Sequence, residues 1–101
     1  MARPKAKSRT EHPDPYLHLI EKHWRNIVTL YLKFEEKRPV MLYHVQEQKI
    51  YAYPYNQFKA DLPKGSHQEL EEQYQVAIDE EKILVFVSDN EKKKFVSYCL
   101  A

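Results

Sequence analysis

The chain has one glycine, Gly65, and one cysteine, Cys99, and no apolar run longer than a strand. Glycine-rich phosphate loops need close backbone approach and positive φ, so a single glycine excludes P-loop and dinucleotide-binding enzymes. One cysteine excludes an internal disulfide framework and fits a reducing compartment. The richest apolar run, residues 83–87, is far short of the roughly 18–20 residues that span a bilayer. No charged start followed by an apolar segment marks a signal peptide. The expected location is therefore cytoplasmic, with no membrane insertion.

Net charge is also scarce, at +1, but it is unevenly spread. Arg3, Lys5, Lys7 and Arg9 against Glu11 give the first twelve residues +3, which leaves −2 for the remainder. The body of the chain is thus no basic nucleic-acid binder on charge alone. Residues 1–12 offer almost nothing to bury and read as a basic flexible arm. Apolar side chains are plentiful beyond the arm: 43% of the whole chain is hydrophobic and 13% aromatic, enough apolar surface to offset the entropy of ordering. Residues 13–101 are expected to fold as one domain.

The domain should open on a helix, with Asp14 as its cap and Pro15 at a position where a missing N–H costs nothing. From Tyr16 to Phe34 the apolar residues fill one broad arc of a helical wheel, which predicts a long N-terminal helix buried on more than one side. Trp24 falls inside that arc and is expected to be mainly buried. The β-branched and aromatic content of residues 27–34 also permits a strand there. Residues 40–45 and 49–53 then read as a β-hairpin. Tyr55, Phe58 and Leu62 suggest a short helix stopped by Pro63, and Ser66 with Glu69 forms a capping-box pattern opening another. Residues 82–88 and 94–100 complete a second hairpin, and the first of these strands, apolar on both faces, should be central. The fold class is α+β in the order α-ββ-αα-ββ: a four-stranded, mainly antiparallel sheet packed on one face by the long helix.

Signals for chemistry are weak. His18, Glu21 and His23 do not share the helical face that metal ligands require, because His23 is five residues from His18. Glu80, Glu81 and Lys82 resemble a short nuclease element, but read better as a solvated helix end in a chain that is 31% charged. Ser66, Ser88 and Ser97 have no histidine and acid at a triad spacing. No enzyme activity, cofactor or metal is expected. The tyrosines stand out instead: Tyr43, Tyr51, Tyr53 and Tyr55 cluster in or beside the first hairpin. Period-two alternation puts Tyr51 and Tyr53 on one sheet face, with Ile50 and Ala52 on the other. They are candidate partner-binding residues, unless a helix covers them. Lys92, Lys93 and Lys94 form a basic hairpin tip which, with the arm's Arg3, Lys5, Lys7 and Arg9, is a candidate phosphate contact.

The favoured reading is a small non-catalytic adaptor or regulatory module that works through a protein partner or as a homodimer, using a sheet edge or the tyrosine hairpin. The alternative is a nucleic-acid-binding accessory protein that uses its arm for phosphates and its tyrosines for stacking. An open aromatic face rimmed by mixed charge favours the first, and one rimmed by Lys and Arg favours the second.

Overall fold

The computed structural model describes residues 14–101, so Arg3, Lys5, Lys7 and Arg9 of the proposed arm lie outside the described residues. Helices α1 (Pro15–Lys22) and α2 (Trp24–Lys33) lead into strands β1 (Val40–His44) and β2 (Lys49–Tyr53). Helix α3 (Tyr55–Asp61), a 3-10 turn (Lys64–Ser66) and α4 (His67–Asp79) come next, and then β3 (Ile83–Asp89) and β4 (Lys94–Leu100). The class is α+β, as the hydrophobic patterns indicate, and residues 27–33 are helical.

The expected long N-terminal helix is two short ones. Asp14 caps the first as anticipated, its side chain accepting from the N–H groups of Tyr16 and Leu17. At His23 the backbone leaves the helical region, with φ −105° and ψ 13°, and its N–H is shared between the carbonyls of Leu19 and Ile20. Neither proline nor glycine marks the break, the usual sequence causes of one. The contact there is tertiary: the His23 ring stacks on Tyr43 of β1, with centroids 5.2 Å apart.

The sheet is mixed, in the order β2-β1-β3-β4. Both hairpins are antiparallel, but β1 and β3 pair in parallel, Met41 opposite Val85 through His44 opposite Ser88. Parallel neighbours need a long connection; here it runs through β2 and then crosses over the sheet in residues 54–82. That crossover also corrects the expected one-sided packing. Tyr16, Ile20 and Ile27 of α1 and α2 pack with Met41, Tyr43, Val85 and Val87 on one face. Phe58 of α3, with Leu70 and Ala77 of α4, packs with Val40, Leu84 and Phe86 on the other. Strand β3 is buried on both faces because helices lie above and below it.

Two further expectations need correction. Ser66 precedes α4 but its side chain makes no capping hydrogen bond, because the 3-10 turn runs directly into the helix and its backbone N–H already bonds Pro63. Trp24 is half-buried rather than mainly buried, packed at the margin of the first core cluster. The single glycine serves no left-handed turn, and Arg38, Gln48, Glu81 and Lys93 take positive φ instead, each at an exposed turn.

Candidate functional site

The structure separates the four hairpin tyrosines. Tyr43 is on the face covered by α1 and α2, only 2% exposed, and burial pushes its phenol up from the ordinary value. Tyr51 and Tyr53 do share the opposite face, with ring centroids 6.2 Å apart. Tyr53 packs on Phe58 of α3, and the Tyr51 hydroxyl donates to Glu47, which raises its pKa. Tyr55 opens α3 and stacks on Tyr74 of α4 at 4.1 Å, and the Tyr74 hydroxyl donates to the Arg38 carbonyl. An ion pair between Lys59 and Glu71 joins the same two helices. Tyr53 thus joins the sheet to α3, and Tyr55 and Tyr74 join α3 to α4, each of the three half-buried.

Lys92, Lys93 and Lys94 project at an exposed turn that a polar cluster shapes from beneath. Asp89, at the end of β3, is 5% exposed. Its carboxylate accepts from the Tyr16 hydroxyl at 2.8 Å, from Gln46 Nε2 at 2.9 Å and from the Lys92 N–H at 3.2 Å. Gln46 in turn accepts from the Asn90 N–H at 2.8 Å. These donors, Gln46 and Tyr16 foremost, hold the Asp89 carboxyl below its usual range. A carboxylate kept ionised and surrounded by donors acts as a clasp between α1 and the two hairpin turns, and is poorly placed to take up a proton. Nearby, Asp14 accepts from the Tyr98 hydroxyl at 2.8 and 2.9 Å. Burial would raise the Asp14 carboxyl, but that bond and the N–H groups of α1 outweigh it and lower it.

Both carboxyls are thus depressed in the folded state, and that direction sets the sign of the pH effect. Their stabilisation is complete above the unfolded carboxyl pKa of about 3.9 and is lost as pH falls through the folded values. The thermal midpoint should be level near neutral pH and drop below about pH 4. Asp89→Asn should lower it near neutral pH and flatten the acid limb; an unchanged limb would show that Asp89 is not the linked group.

Among the described residues no three His, Cys, Asp or Glu side chains gather to hold a metal, and no helix is long and apolar enough to cross a membrane. His18 is exposed, while His23 is occupied by Tyr43. The His44 Nδ1 is buried without a hydrogen-bond partner. Cys99 is half-buried, its thiol directed at the Gln73 carbonyl and raised in pKa by burial.

A different surface is more open. Helix α2, the segment after it and the start of β3 enclose a groove of about 480 Å3. Its walls are Trp24, Val28, Tyr31, Leu32, Phe34 and Ile83, and its rim is Glu36, Lys37, Arg38, Glu81 and Lys82. Leu32 is 74% exposed. The sequence did carry a signal for this groove, the unusually wide apolar arc of residues 16–34. A width beyond what one sheet face covers leaves apolar side chains in solvent, as at Leu32, in place of the burial on more than one side that the arc predicts.

Comparison with known protein families, curated proteins and solved structures found no match to this chain.

Proposed function

We propose that this chain is a small, non-catalytic adaptor or regulatory module of a reducing compartment that binds another protein through the groove beside α2. The observation that carries this reading is the pairing of a continuous apolar wall, with Leu32 in solvent, and a rim of both charge signs. Contiguous apolar surface bordered by polar residues characterises protein contact sites. A rim holding Glu36 and Glu81 beside Lys37, Arg38 and Lys82 suits a polypeptide of mixed charge, whereas a polyanion would meet repulsion from the two carboxylates. The occupant is a polypeptide segment with apolar anchors and charged flanks, for which Trp24 and Tyr31 supply the aromatic area typical of interface centres. The tyrosine hairpin contributes indirectly, by holding the crossover helices in place.

Leu32→Glu tests this reading. Because Leu32 is exposed, the substitution should leave folding stability within about 0.5 kcal/mol while abolishing capture of the native partner. A variant that binds as well as wild type would locate the contact elsewhere, and salt-sensitive binding of single- or double-stranded oligonucleotides by the wild-type chain would favour nucleic acid instead.

A further inference from the structure

We propose that the chain associates with a second copy of itself through the outer edge of β4, joining two four-stranded sheets into one of eight strands. The inference shares with the groove reading the premise that the chain works by protein contact; its surface is centred on β4 and meets the groove at the rim residue Glu81.

Strand β4 runs seven residues, and among the described residues its backbone partner is β3 alone. Half of its N–H and C=O groups therefore face outward. Edges of this kind template pairing unless proline, a bulge, brevity or inward charge blunts them. The other edge, β2, is protected by its five-residue length and by Pro54 at its end. Beyond Lys94 at its first position, β4 has none of these devices.

Its sequence is also self-complementary. Antiparallel pairing about a two-fold axis normal to the sheet must place residues of equal parity opposite each other, so that both point to one face. With Ser97 on the axis the whole strand pairs. Val96 then lies opposite the second copy's Tyr98, Phe95 opposite its Cys99, and Leu100 opposite the aliphatic stem of its Lys94. Val96, Tyr98 and Leu100 are half-buried and Phe95 is 46% exposed, so each gains cover, and no like charges stand opposite one another.

Charge at the strand ends fixes the second copy as the occupant. The tip bearing Lys92, Lys93 and Lys94 lies at one end of β4; Leu100, at the other end, pairs with Ile83, which follows a turn of Asp79, Glu80, Glu81 and Lys82 that stays acidic although Lys82 pairs with Glu80. Antiparallel pairing brings the lysine tip of each copy to the acidic turn of the other, twice per dimer. The acidic turn and the basic tip thereby become two halves of one contact. Val76 fits as well: it is 42% exposed and lies on the flank of α4 that carries Gln73, whose side chain reaches Ser97. Continuing the sheet sets the two α4 helices roughly 10 Å apart, an ordinary packing distance.

The test is sedimentation equilibrium of the full chain with two reversal variants, Lys92→Glu/Lys93→Glu and Glu80→Lys/Glu81→Lys. All four positions are exposed, and circular dichroism checks that each variant folds. Wild type should form a dimer. Each variant alone should dissociate at least tenfold more readily, because its tip and turn now repel, and an equimolar mixture of the two should recover dimer, because opposite signs meet again at both ends. A wild-type chain that stays monomeric at millimolar concentration overturns the proposal, as does a dimer indifferent to both reversals or a mixture without recovery. A monomer would leave the α2 groove reading untouched, since Leu32→Glu reads that surface separately.

Discussion

Tyr43→Ala should lower the unfolding free energy by about 3–5 kcal/mol, the usual cost of deleting a large aromatic side chain from a core. Tyr43 is 2% exposed, packed among Ile20, Ile27, Met41 and Val87, and its ring meets His23 where the N-terminal helices break. Removing it empties the centre of that face and also releases the contact that accompanies the break. Tyr43→Phe keeps the ring and should cost under about 1.5 kcal/mol. Urea denaturation followed by circular dichroism measures both. A shift of only a few tenths for the alanine variant would return Tyr43 to the surface as a partner-binding residue.

Phe58→Ala probes the opposite face, where a similar loss of about 3–5 kcal/mol is expected. Phe58 is 5% exposed and is the one side chain of α3 buried in the sheet, with ring centroids 4.9 Å from Phe86 and 5.9 Å from Tyr53. Its loss leaves α3 held by the Tyr55–Tyr74 stack and the exposed Lys59–Glu71 pair, and exposed ion pairs add little. Amide exchange should therefore rise first in α3, and α1 and α2 should stay protected. Equal loss of protection on both faces would mean that the two cores unfold only together.

The features legible in the sequence obey local rules. Asp14 and Pro15 mark the start of α1, the alternation of Ile50, Tyr51, Ala52 and Tyr53 assigns their faces, and the doubly apolar Ile83–Val87 run marks a central strand. The hidden features depend on contacts between distant residues. No local pattern distinguishes a β3 returning parallel to β1 from one returning antiparallel, because both bury the same side chains. The break at His23 coincides with a ring stack onto a strand twenty residues on, and the capping pattern at Ser66 is displaced by a turn that begins two residues earlier. The tyrosine cluster divides for a related reason: nearness along the chain groups Tyr43 with Tyr51, but the pleat sends them to opposite faces. The groove residues, in turn, are separated by some fifty positions, and only the excess width of the apolar arc points to them.

Contact with a protein through the groove beside α2 is the central claim. The most direct measurement places a photocrosslinking residue at position 36, on the groove rim, or at position 26, on the exposed side of α2, in the full chain in its native cells. The account predicts a discrete protein adduct from position 36 that disappears when Leu32→Glu is added, and no such adduct from position 26. Equal labelling from both positions, an adduct that persists with Leu32→Glu, or crosslinks to nucleic acid alone would contradict it.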